Sequence, residues 1–197
     1  MLKLYKLKHY FNDNKKYFLL TLIFFIVGFI CGSVYINFIT ELDFSKASSA
    51  FLLFKSEESQ TLYSYSDEII LLGIFIGGFI LFGKWVISFF IFRYGFMTGY
   101  FCVFLIKLFS LDGILPSCIF LFLNLIFIFP FVIILSQTGY TLSQSLENVF
   151  LKNYKLLNEP GKLLIFYTLI FLCSLVAVSI LSRIKMNIFL NFVKNVL

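Results

Sequence analysis

The sequence predicts an all-α polytopic transmembrane helix bundle of four to five spans, with one re-entrant piece as the alternative to a full span, plus an amphipathic interfacial helix. Three observations predict it. The 197 residues are 60% hydrophobic and 21% aromatic but only 13% charged, against roughly 45–50% apolar and about 25% charged in soluble domains. Four or five apolar stretches approach the roughly 20 residues that a helix needs to cross a hydrocarbon core of about 30 Å. The polar stretches between them are short, so a single integral membrane domain covers residues 1–197.

Residues 1–16 form a basic tail with Lys3, Lys6, Lys8, Lys15 and Lys16 against Asp13, and the apolar run 17–40 follows at once. Positive charge before a first span places that end in the cytoplasm. The run is too long for the core of a cleaved signal peptide and does not end on small residues, so it reads as a retained first span. Residues 41–68 form an outer loop rich in Glu and Asp, including Asp67 and Glu68, and its stretch 47–54 is apolar but too short to span.

Residues 69–109 are apolar for long enough to make two spans, or one span followed by a re-entrant piece. Asp112-Gly113 marks a turn, and 114–135 is a further span. In 136–162 the residues Leu142, Leu146, Val149, Phe150, Tyr154 and Leu157 recur at helical spacing, which suits an amphipathic helix at the interface. The last span is 163–181, followed by a basic tail, 182–197, with Arg183, Lys185 and Lys194. The charge rule favours both termini inside, which requires the re-entrant alternative; five full spans would put the C-terminal cluster outside.

The net charge of +6 does not predict nucleic-acid binding, because the sixteen basic residues are scattered at the ends of apolar stretches rather than gathered into a patch. Cys31, Cys102, Cys118 and Cys173 lie within apolar stretches without metal-binding spacing, and read as small buried hydrophobes. His9 is the one histidine, and nucleophile elbows, phosphate loops and paired carboxylates within a span are absent. No catalytic residue, metal ligand or cofactor is therefore expected.

Small-xxx-small pairs occur at Gly28/Gly32, Gly73/Gly77 and Gly95/Gly99. In lipid such pairs let helix backbones approach closely, so these are expected helix-packing or partner-contact faces. Lys84 and Arg93 stand deep among apolar neighbours, as anchors at helix ends or as polar groups of a transport path. Asn124 and Pro130 put an amide and a kink into one span.

The stretch Val27-Gly28-Phe29-Ile30-Cys31-Gly32-Ser33 resembles the Gly-x-x-x-Gly-Ser exit from the first helix of the stage II sporulation protein M family. Phe92-Arg93-Tyr94-Gly95-Phe96-Met97-Thr98-Gly99-Tyr100 is similar to that family's basic, Gly-Phe, two-residue, Gly-aromatic stretch, and Asn124 with Pro130 to its polar-then-proline pattern. The chain departs from the family where Leu121-Phe122-Leu123 and Lys84-Trp85 stand near expected prolines, which marks a divergent member. The resemblance implies a non-enzymatic scaffold in endospore formation. It would lie in the bacterial cell membrane, at the mother-cell septal membrane during engulfment, and anchor peptidoglycan-degrading cell-wall hydrolases beside other sporulation membrane proteins. The competing expectation is a small transporter or channel subunit.

Overall fold

The computed structural model describes residues 15–38, 57–152 and 158–196, with side chains described over 15–38, 66–147 and 163–193. The apolar stretch 47–54 and the residues Tyr154 and Leu157 lie outside the described residues. Six α-helices make up almost all of what is described: α1 (Lys15–Phe38), α2 (Glu57–Gly78), α3 (Gly83–Phe109), α4 (Ile114–Phe127), α5 (Phe129–Lys152) and α6 (Asn158–Val196), with a short 3-10 turn, Ser110–Gly113, before α4. Among the described residues three apolar helical stretches are long enough to cross a membrane: Lys15–Phe38, Gly83–Phe127 and Leu163–Val193.

The helices pass back and forth between two ends of the bundle. α1 and α3 run parallel, since Gly95 packs on Phe25, Gly99 on Phe29 and the Lys107 ammonium on the Ile36 carbonyl. α2 returns antiparallel to α3: Gly77 meets Gly83 and Ile87 near the Lys15 end, and Gly73 meets Phe90. α4 and α5 form one broken pass, descending from Ser117 against the Cys102 carbonyl to Tyr140 against Ser88. α6 then rises, with Tyr167 on the Ile74 carbonyl and Ser182 on Asp67.

The break within that pass has a local cause. Proline lacks an amide proton and its ring collides with the carbonyl of the preceding turn, so Pro130 interrupts the ladder and leaves Ile128 as a turn residue whose amide bonds to the Asn124 carbonyl at 3.1 Å. Helix resumes at Phe129.

Several sequence-based boundaries move. Residues 57–68 are helical rather than loop, and they carry Asp67 and Glu68 into the bundle on α2. The re-entrant alternative for 69–109 fails, because α3 is a continuous 27-residue helix running the length of α1. Residues 136–152 are not a separate interfacial helix but the continuation of α5 through the bundle. Hydropathy drops there because polar side chains turn inward, several onto partners across the bundle: Ser136 on Thr21 at 3.0 Å, Tyr140 on Ser88 at 2.8 Å, and Ser143 on the Ile80 carbonyl at 3.1 Å. The tail 182–197 is the upper part of α6, helical to Val196. With five passes, the start of α1 and the end of α6 lie at opposite ends of the bundle, against the preference for both termini on one side.

Packing follows the small residues. Of the buried stripe of α1, Phe25, Gly28, Gly32 and Ile36 meet α3, while Thr21 bonds Ser136 of α5. A Cβ on Gly28 or Gly32 would overlap the carbonyl of Phe92 or Phe96, and one on Gly95 or Gly99 that of Phe25 or Phe29. Reciprocal glycines thus bring the two backbones into contact where lipid offers little hydrophobic drive. Of the four free cysteines only Cys102 is buried; Cys31, Cys118 and Cys173 face outward, so burial was the wrong expectation for those three.

Candidate functional site

The most unusual chemistry lies in the interior, where three helices meet on two opposite charges. Lys185 of α6 donates to the Asp67 carboxylate of α2 at 2.7 Å and to the Asn124 side-chain oxygen of α4 at 3.0 Å. Ser182, one turn before Lys185, donates to the same Asp67 oxygen at 2.9 Å. Lys185 is 1% exposed and Asp67 4%. The ammonium also sits 5.8 Å from the centroid of the Phe120 ring, a favourable place for a cation. Beside this cluster, Ser179 donates to Glu68 at 2.6 Å where α6 meets α2.

The cluster is deep. Asn124 is ten residues into the pass that begins at Ile114, which at 1.5 Å per residue is about 15 Å, near the middle of a hydrocarbon core. Ionisable residues at that depth are functional candidates by default. Their local cause is helix periodicity: Ser179, Ser182 and Lys185 recur every three residues and line one side of α6, facing Asp67 and Glu68.

Lys84 and Glu147 form a second pair at 2.7 Å, with side chains 38% and 36% exposed, next to Tyr17, whose hydroxyl donates to Gln144. These residues are at the Lys15 end, where Lys84 stands at the start of α3 with a partner. Around them lies a cavity of about 320 Å³ lined by Lys16, Tyr17, Phe24, Lys84, Trp85 and Tyr140 among others. Between this cavity and the Asp67–Lys185 pair stands an apolar layer of Leu71, Ile74, Ile91, Ile128 and Val132, each at most 1% exposed.

The sequence-predicted residues separate into four groups. Gly28, Gly32, Gly95 and Gly99 build the α1–α3 contact, whereas Gly73 and Gly77 meet the Phe90 and Ile87 side chains of α3. Asn124 belongs to the polar cluster and Pro130 breaks the helix below it. Lys84 is at the bundle end. Arg93 joins none of these: it is exposed on the outer face of α3, in a row with exposed Trp85, Phe89 and Met97. A lipid-facing arginine at such a level costs about 2.5–3.5 kcal/mol on insertion scales.

Asp67, Lys185, Ser182 and Glu68 escaped the sequence-based candidates, because helix limits placed at the change in hydropathy assigned them to a loop and a tail on opposite sides of the membrane. The placement of Asp67 and Glu68 in an outer loop is corrected by the helix that carries both into the bundle. The three-residue rhythm Ser179-x-x-Ser182-x-x-Lys185, continuing the period of the last apolar run, was the available signal.

The model of the family described as Stage II sporulation protein M matches residues 21–182, from the first helix through the polar cluster to Ser182. The chain belongs to the stage II sporulation protein M family. No curated protein and no solved structure matches it. As a member of the Stage II sporulation protein M family with an all-α, apolar bundle, it is a bacterial membrane protein related to sporulation. The matched residues include Asp67, Asn124 and Ser182 and stop short of Lys185.

Proposed function

We propose that this protein is a non-enzymatic membrane scaffold of endospore formation, anchoring and localising peptidoglycan-degrading partners at the septal membrane during engulfment. The observation that carries this reading is the closed character of the interior charges. Asp67, Lys185, Asn124 and Ser182 are spent on one another, fastening α2, α4 and α6, and the buried apolar residues Leu71, Ile74, Ile91, Ile128 and Val132 lie between them and the cavity at the Lys15 end. Such a cluster suits a fixed frame. A buried charged pair sets helix register and arrangement more than it adds net stability, and a frame that holds other proteins needs defined outer faces rather than a moving interior. Family membership supports the sporulation setting.

Affinity purification of the tagged chain from sporulating cells tests this directly. Wall hydrolases are expected in the complex, and cells lacking the protein are expected to stall at engulfment. A complex without any hydrolase, together with normal engulfment in the deletion strain, overturns the reading.

A small transporter or channel subunit is the second reading, favoured by one observation: an acid, a base and an amide converge mid-bundle, the kind of group found along proton and ion pathways. Flux measured in liposomes separates the two. Flux that Lys185→Met abolishes, while complex assembly is unchanged, would replace the scaffold with a carrier.

A further inference from the structure

The charges inside the bundle do not balance place by place. At the α2–α6 contact two carboxylates, Asp67 and Glu68, stand beside one ammonium, Lys185, which pairs with Asp67. Among the described residues Glu68 accepts a hydrogen bond from the Ser179 hydroxyl, and both residues are half-buried, between exposed Leu72 on α2 and exposed Val176 and Ile180 on α6. On α3, Arg93 is exposed in the row Trp85, Phe89, Arg93 and Met97, with no carboxylate paired to it among the described residues. Neither Glu68 nor Arg93 has an ion-pair partner among the described residues.

The two lie at one depth. A Cβ on Gly83 would overlap the Gly77 carbonyl, so the end of α2 and the start of α3 are level. Arg93 is ten residues beyond Gly83, and Glu68 ten residues before Gly78; both are therefore about 15 Å in from the same end. Trp85, exposed and suited to the membrane interface, is eight residues or about 12 Å of helix from Arg93, more than an arginine side chain can span toward water.

We propose that copies of this chain associate head to tail in the membrane, the α3 face of one, Trp85–Phe89–Arg93–Met97, seating in the α2–α6 seam of the next so that Arg93 pairs with Glu68. The contact neutralises both charges away from water at once, where a charge-assisted pair is favourable. It covers exposed apolar side chains of matching depth: Phe89 is six residues beyond Gly83 and Leu72 six before Gly78. A symmetric contact of α3 on α3 would instead oppose Arg93 to Arg93. The pairing is heterologous, so it builds rings or rows rather than closed pairs. It is independent of which proteins the scaffold holds, and it adds that the scaffold presents them in multiple copies.

Energy transfer between donor- and acceptor-labelled full-length chains, reconstituted at low density in lipid vesicles, tests this. The native chain is expected to self-associate, while Arg93→Gln and Glu68→Gln, each alone, are expected to weaken association by about tenfold or more. The deciding sample is a mixture of the two variants. One keeps Glu68 and the other Arg93, so the mixture is expected to regain transfer as pairs without longer assemblies. Absence of transfer in the native chain, undiminished transfer in either single variant, or no recovery in the mixture overturns the proposal. Native helix content by circular dichroism is required of both variants, and a disulfide experiment that keeps the native charges covers a folding failure. In a background with the four cysteines replaced by alanine, a Phe89→Cys chain is expected to cross-link to a Leu72→Cys chain. Cross-linking of Phe89→Cys chains to themselves instead overturns the head-to-tail contact.

Discussion

Asp67, Lys185 and Asn124 show how far one residue's environment decides its meaning. A lysine in water is a solvated charge; Lys185 at 1% exposure survives only because Asp67, Asn124 and the face of Phe120 replace the water it has lost. Removing one partner strands the other, so Lys185→Met or Asp67→Leu is expected to cost about 3–5 kcal/mol, and the double replacement much less than the two singles together. Denaturant titration of helix content in mild detergent measures both, and additive singles would contradict the pairing. Lys84 and Glu147 are the control: their side chains are more than a third exposed, and Lys84→Ala is expected to cost at most about 1 kcal/mol in the same titration. Distance alone does not separate these pairs, since both are at 2.7 Å; burial does.

At the scale of helices, the glycines set what can touch. Gly28 and Gly95 face backbone carbonyls that cannot move without moving a helix, whereas Gly73 faces the ring of Phe90, which can rotate aside. Gly28→Ala and Gly95→Ala are therefore expected to destabilise the α1–α3 contact by about 2 kcal/mol or more, and Gly73→Ala by distinctly less; unfolding in detergent ranks them, and a reversed order would count against backbone contact as the cause. These pairs were legible in the sequence because a four-residue glycine spacing has one strong physical use in lipid. The course of α5 was not. Its polar residues Ser136, Gln137, Thr138, Tyr140 and Ser143 lower the hydropathy of a helix that nonetheless passes through the bundle. A hydropathy window counts polar side chains as exposed to the surroundings, while here Thr21, Ser88 and the Ile80 carbonyl receive three of them.

Across the whole molecule the helices alternate in direction, and the number of passes determines where the ends lie. Five passes put the end of α6 opposite the start of α1, so reporters fused before Met1 and after Leu197 are expected to report opposite sides of the membrane; the same side for both would refute the five-pass arrangement. The positive-inside rule favoured both ends on one side because it counted Arg183, Lys185 and Lys194 together as free charges beyond the last span. In the structure Lys185 is neutralised inside it, and a paired, buried lysine has no preference for either side.

What the sequence determined by itself was the environment and the local order: apolar runs that lipid alone can accommodate, helices that follow because a backbone in lipid must satisfy its own hydrogen bonds, the glycine faces, the break at Pro130, and the family likeness carried by short motifs. The tertiary structure decided which charges meet, where the helices end, and how the helices alternate in direction through the bundle. The physical reason is that periodicity and hydropathy act over a few turns of one helix, whereas Asp67, Asn124 and Lys185 are separated by 57 and 61 residues along the chain and acquire their chemistry only when α2, α4 and α6 close around them.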